Sequence, residues 1–517
     1  MDVIKDIANA LSRYDVRDIE VISNKEYVCE KEASRYREFY LGLREKTWTA
    51  EEEIATHFNY ASKNDKGFRR LKEGVLERLM NSILFVDLSG KEFTDFHRKV
   101  QEMYKLWLVA ENLHRRGALI AYFDIAEKAL SLAVETEILP AIIELSRGLK
   151  VFYAIRPRHR KDFIRLSIIF EQYWPMFQAE VEAQDDFLFF ISNCSEKKGF
   201  GKEFAKQAAQ FFHKYEDKIG QYHNVLFNVY ARLFQLYAKT LVHDWEGGCI
   251  AANQALDFLV KKKDRNREYI YLFSTQKASC LMMLQRYGDA KNILDSIVDL
   301  IPEGKPSWFK NREIAVVNAF YAEKYEEASE IVFCKMGHPQ FKVVNEVDQE
   351  TWRLYKGFLF LLIRSGKLSL PKVTAENQAH FRVGKWMNEM PIYSQDKRGG
   401  NIPLLILQLH FIIQDVGNNP ELYDEVCNRA EALRKYAYRN FGKTDEHFRT
   451  DCFVSLLQLL VRNWYLPKEL DVAEKPVLKK MSAIASDLVD NSFETEIVPY
   501  ERQWQWIRET VRRSVSK

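Results

Sequence analysis

At 517 residues, with 47% hydrophobic and 29% charged residues, the chain is long enough to bury an extensive core and has the balance of a folded rather than a disordered protein. Its 76 basic and 73 acidic residues leave a net charge of +3, which excludes a global electrostatic drive toward nucleic acid or anionic membrane and leaves only local patches. The seven cysteines (Cys29, Cys194, Cys249, Cys280, Cys334, Cys427 and Cys452) are odd in number and nowhere spaced C-x-x-C. A disulfide framework or cysteine zinc site is therefore not expected, and a reducing cytoplasm is.

Only 21 Gly and 13 Pro punctuate this length, and 13% of the residues are aromatic. Few breakers and many large flat side chains favour an all-α fold over a turn-dense β fold. The N-terminal residues from Met1 to Lys5 lack the pattern of a signal peptide. The longest apolar stretches, 357–363 and 402–413, are too short to span a bilayer and predict buried core helices and no membrane partner.

In chain order, residues 2–14 and the run Tyr36, Phe39, Tyr40 and Leu43 predict two short helices. Thr47-Trp48-Thr49-Ala50, followed by Glu51, Glu52 and Glu53, predicts a helix start with a threonine cap and acids at the positive end. Phe68, Leu71, Val75, Leu76, Leu79, Met80, Ile83 and Leu84 share one broad apolar face, opposite Lys66, Arg69, Arg70, Lys72 and Arg78. A hairpin follows over 93–139, then a pair over 142–152 and 163–177 joined by a basic turn, then segments at 187–191 and 204–215.

The stretch 225–336 carries a recurring step where the first helix of each hairpin ends. Trp245-x-x-Gly248, Tyr287-x-x-Ala290 and Tyr325-x-x-Ala328 each place an aromatic three residues before a small residue, and the small positions are 42 and 38 residues apart. Phe123-x-x-Ala126 reads as an earlier instance. A small residue lets the second helix of a hairpin lie close to the first while the aromatic fills the space beside it. The near-period predicts stacked helix–turn–helix units.

The turns from Gln285 to Ala290 and from Glu323 to Ala328 resemble the inter-helix turn of tetratricopeptide-like helical repeats over residues 100–340. The period is longer than that family's, and Met283 and Tyr321 stand where it carries small residues. The resemblance implies a right-handed α-solenoid of antiparallel hairpins with degenerate repeats of about 38–42 residues. The segments 68–88, 401–414 and 497–504 are also similar to uncharacterised helical-repeat proteins of Bacteroidetes bacteria, a likeness that implies no activity.

Beyond Pro339 the regularity fades. Residues 352–363 predict an apolar helix, 367–400 an irregular insertion, and 402–416, 423–441, 448–464 and 477–489 four further helices. A last helix around Trp504 and Ile507 reads as a terminal cap. The expected divisions are an N-terminal helical region at 1–100, repeats at 101–345 and an irregular, capped helical region at 346–517.

Chemistry-bearing motifs are sparse. Residues 437–444, ending Gly442-Lys443-Thr444, fit a relaxed phosphate-loop pattern. No strand is predicted before it, and Gly442 reads as a helix C-cap. No H-E-x-x-H and no G-x-S-x-G occurs, so neither a metal, a cofactor nor a catalytic set is predicted. Two basic clusters are the candidate partner-binding residues: Arg156, Arg158, Arg160 and Lys161, with His159 and Arg165, and then Lys261, Lys262, Lys263 and Arg265, with Arg267. Cations at helix ends also complement the helix dipole, which is their plain structural role. The functional expectation is a non-enzymatic scaffold or regulatory protein binding a protein or peptide, with nucleic-acid or nucleotide-linked sensing through the basic clusters as the alternative.

Overall fold

A computed structural model describes residues 4, 30–45, 47–48, 50–83, 94–156, 159–196, 202–262, 267–369, 386, 401–441, 448–483 and 496–515. All regular structure among the described residues is helical, in 20 α-helices and three short 3-10 turns. The chain divides into two compact units, 1–177 and 178–517.

In the first unit, helices Glu30–Arg44, Glu51–His57 and Lys66–Ile83 enclose one core of Phe39, Tyr40, Ile54, Phe58, Phe68, Val75 and Leu79. The expected face of Lys66–Ile83 is buried at Phe68, Leu71, Val75 and Leu79, whereas Met80 and Ile83 are exposed. Arg78 corrects the sequence reading, because it is buried with its guanidinium 4.6 Å from the Tyr36 ring centre. The long stem of arginine covers apolar surface while its charge rests on an aromatic face. The cap of Glu51–His57 is Ala50. Helices Asp95–Arg115, Leu119–Thr136, Leu139–Ala154 and the first half of Arg160–Glu196 pack in sequence around Met103, Leu130, Ile142, Leu149 and Leu166.

Arg160–Glu196 is one 37-residue helix. The segments 163–177 and 187–191, expected apart, are therefore continuous through Pro175. Proline removes one backbone donor. The following Gln178-Ala179-Glu180-Val181-Glu182-Ala183 is rich in good helix formers and sustains the helix.

In the second unit, each helix from Lys202–Ile219 to Glu346–Arg364 packs on its sequence neighbour, as do Ile402–Val416, Tyr423–Phe441, Phe448–Arg462 and Pro467–Ser482. The step read from the sequence has a backbone basis. His243, Gln285 and Glu323 adopt left-handed conformations, with φ of 60°, 58° and 57°. The next residue's N–H donates back to a carbonyl five residues earlier: Asp244 to Lys239 (3.0 Å), Arg286 to Leu281 (2.8 Å) and Lys324 to Ala319 (2.8 Å). This is a Schellman C-cap that satisfies the helix-end carbonyls. A new helix starts immediately at Trp245, Tyr287 and Tyr325, and Gly248, Ala290 and Ala328 are buried.

The same backbone turn occurs at Gly117, Glu137 and Gly366, where Ala118 donates to Leu113, Ile138 to Ala133 and Lys367 to Leu362. The early instance thus lies at Gly117–Ala118, and Phe123-x-x-Ala126 sits one turn farther into the helix. Gly366 follows Glu323 by 43 residues, so this turn recurs past Pro339, where the side-chain signature is lost.

Helix Tyr500–Val515 packs on Ile402–Val416 and Phe448–Arg462. This helix and Glu496 just before it also reach the last of the three turns: Tyr321 OH donates to Glu496 O (3.0 Å), Arg502 pairs with Glu323, and Trp506 meets Tyr325 edge-on.

Candidate interaction surface

The first basic cluster lies in the hairpin of Leu139–Ala154 and Arg160–Glu196, within the first unit. Leu139, Ile142, Ile143, Leu145 and Leu149 put one face of the first helix into the core. Its outward positions are Glu144, Arg147, Val151 and Ile155. Glu144 and Arg147 neutralise each other at 2.7 Å. Val151 and Ile155, one turn on, are 65% and 78% exposed. On the second helix Leu166 is buried, while Ile164 and Ile168 are 46% and 58% exposed.

The predicted cations have three fates. Arg165 reaches back 2.6 Å to Glu127, which also accepts from Tyr153 OH at 3.2 Å. Burial, reinforced by Glu127, pushes the Tyr153 phenol up to about 12. His159 meets Asp162 at 3.0 Å and stacks on Tyr153. Arg156 makes no ion pair among the described residues; its guanidinium lies 3.6 Å from the Phe152 ring centre and 5.4 Å from that of Phe123. Arg160 and Lys161 are exposed and make no ion pair among the described residues. Arg158 lies outside the described residues. A further cation stack stands on the same hairpin: Lys150 lies 4.7 Å from the centre of the Phe170 ring, which stacks on Trp174.

The second cluster belongs to the other unit. Lys261 and Lys262 end helix Trp245–Lys261, where cations complement the negative end of the dipole. Lys263 and Arg265 lie outside the described residues. Gly442-Lys443-Thr444 does too, and helix Tyr423–Phe441 occupies the place where a phosphate loop needs a strand.

The sequence reading missed the exposed aliphatic stripes. Val151/Ile155 and Ile164/Ile168 are apolar pairs four residues apart on the solvent side of helices whose opposite face is already apolar, and that spacing was the available signal.

Several perturbed titratable groups elsewhere are buried and held by structural contacts. Arg449 pairs with Glu496 at 2.7 Å and Glu501 at 2.8 Å and donates to Met481 O; burial disfavours its charge, but the two carboxylates outweigh this and hold it above its ordinary value. Burial pushes Glu313 up against the pull of Lys310, and it accepts from Tyr355 OH at 3.2 Å. Burial pushes His410 down to about 3. An open cleft of 440 Å³ is lined by Arg35, Glu38, His57, Phe58, Asn59 and Tyr60, with His57 and Glu38 paired at 2.6 Å.

Among the described residues, no group of three His, Cys, Asp or Glu side chains is placed to hold a metal ion, and no helix is long and apolar enough to cross a membrane. Comparison with protein-family models, curated proteins and solved structures gives no match.

Proposed function

We infer that the chain is a non-enzymatic helical-repeat scaffold or regulatory protein whose surface binds a protein or peptide. The observation that carries this reading is the exposure of paired aliphatic side chains and unpaired cations on the hairpin of Leu139–Ala154 and Arg160–Glu196. Apolar side chains grouped on a surface mark interaction sites. The architecture is proposed as a right-handed α-solenoid of degenerate repeats of about 38–42 residues, supported by left-handed turns 42, 38 and 43 residues apart at His243, Gln285, Glu323 and Gly366. A reducing, cytoplasmic location is supported by the odd number of cysteines and the lack of C-x-x-C spacing.

The unpaired Arg160 and Lys161 favour a second reading, nucleic-acid binding through phosphate contacts. Affinity capture with the full chain from its native host, with and without nuclease, separates the two. The scaffold reading expects a saturable, nuclease-resistant protein complex. Recovery of nucleic acid alone, or of no enriched macromolecule, overturns it.

A further inference from the structure

Four observations on one hairpin converge. Two outward apolar pairs, Val151/Ile155 and Ile164/Ile168, each span one helical turn. The two helices belong together, since Leu145, Leu149 and Leu166 share a core and Lys150 of one covers Phe170 of the other. Arg160 and Lys161 stand in the turn preceding Ile164 and make no ion pair among the described residues, the adjacent Asp162 being taken by His159. Arg156, next to Ile155, keeps its charge on an aromatic support and not on an acid.

A cation resting on a ring is held in place with its charge uncompensated, so an incoming carboxylate replaces no existing partner. Apolar pairs one turn apart match the spacing at which an amphipathic helix presents its anchors. We propose that this face, Val151, Ile155, Ile164 and Ile168 bordered by Arg160 and Lys161, docks an acidic amphipathic helix of a partner protein. This deepens the protein-binding reading and rests on it.

The occupant follows from charge and shape. Aliphatic side chains offer no flat face for bases to stack on, and the rings of Phe152 and Phe170 are already covered by Arg156 and Lys150. Four aliphatic side chains in two short stripes also fall short of the long apolar face that immerses a helix in a bilayer interface. The remaining match is a helix with apolar residues three or four apart and Asp or Glu flanking them.

The experiment places a photo-crosslinking residue at Ile155 in the full chain, and separately at Val472, which is 68% exposed in the second unit. Both are irradiated in native host extract and the attached segments sequenced. The Ile155 probe is expected to capture a defined acidic segment with regularly spaced apolar residues. The synthetic form of that segment should bind the full chain with a salt-sensitive affinity. The Arg160→Glu/Lys161→Glu double variant should weaken it about tenfold or more, as should Ile155→Asp, with the helical content and melting of the full chain unchanged.

Capture at Val472 but not at Ile155 overturns this assignment while leaving the scaffold reading intact. Absence of capture at Ile155 overturns this assignment whatever Val472 gives, and the affinity capture with nuclease separately decides the scaffold reading. Attachment at Ile155 only to lipid, to nucleic acid or to a basic segment also overturns the proposal. Parallel binding to phosphatidylserine vesicles and to a single-stranded oligonucleotide identifies which of those sources is responsible.

Discussion

The molecule handles its cations in two ways. In the second unit Arg449 is largely buried, bidentate to Glu496 and paired with Glu501, while Arg508 is buried against Asp471 and Glu474. In the first unit Arg156 lies on Phe152, and Arg160 and Lys161 extend into solvent beside exposed isoleucines. The buried set clamps the returning C-terminal segment, since its acids Glu496 and Glu501 and its cation Arg508 join residues of Phe448–Arg462 and Pro467–Ser482. Of the exposed set, Arg156 rests on rings of two helices, whereas Arg160 and Lys161 join no elements among the described residues. Pairing and burial mark a structural charge, and an uncompensated charge beside exposed apolar surface marks an available one.

Breaking the buried set is the harshest test. Arg449→Met leaves Glu496 buried without its counter-charge and should cost about 3–5 kcal/mol in urea unfolding of the full chain. A loss below about 1 kcal/mol would remove the clamp from the account.

The buried histidine beneath the same helix gives a pH test. Burial holds folded His410 near 3 against the upward pull of Gln503, whereas an unfolded histidine titrates near 6.5. The unfolded chain therefore takes up a proton that the native state refuses. Stability present at neutral pH is lost as pH falls from about 6.5 toward about 3. At pH 5 this amounts to about 2 kcal/mol relative to pH 7, and His410→Asn should flatten that part of the stability–pH profile.

Smaller effects belong to the turns. A Cβ on Gly248 would stand 2.8 Å from Cys280 Sγ and 3.1 Å from Thr240 Cγ2, so Gly248→Ala should destabilise by about 1 kcal/mol in the same assay. Gln285 is exposed in its left-handed conformation, whereas His243 meets Trp245 edge-on and Glu323 pairs with Arg502. Gln285→Gly should relieve backbone strain and stabilise by about 0.5–1 kcal/mol. The smallest shift is expected at the exposed cations, where Arg160→Glu/Lys161→Glu should move stability by no more than about 0.5 kcal/mol. Thermal melts that show a larger loss would return these cations to the structural class.

Much of the helical content was legible because it rests on local spacing. Phe68, Leu71, Val75 and Leu79 predicted their helix, and the steps at Trp245, Tyr287 and Tyr325 marked the junctions between helices, although the second helix begins at the aromatic itself and not beyond the small residue. The turn itself was less legible. Its geometry is a backbone property that tolerates Tyr122 or Ile142 where Gly248 or Ala290 stands elsewhere, so the aromatic-x-x-small pattern misplaced the early instance and missed Gly366. The basic turn was found as a run of charges, but which of its members remain unpaired depends on Glu127, Asp162 and the ring of Phe152.

The sequence alone thus determined the helical class and the approximate places of most helices, because apolar periodicity and the scarcity of Gly and Pro act within a few residues of chain. The tertiary structure decided the rest. It brought Glu496 to Arg449 across 47 residues and Tyr321 to Glu496 across 175, buried Arg78, and left Ile155 and Ile168 facing solvent. The physical reason is that burial and charge pairing depend on which surfaces meet in three dimensions, and a residue's own neighbours in sequence do not specify that.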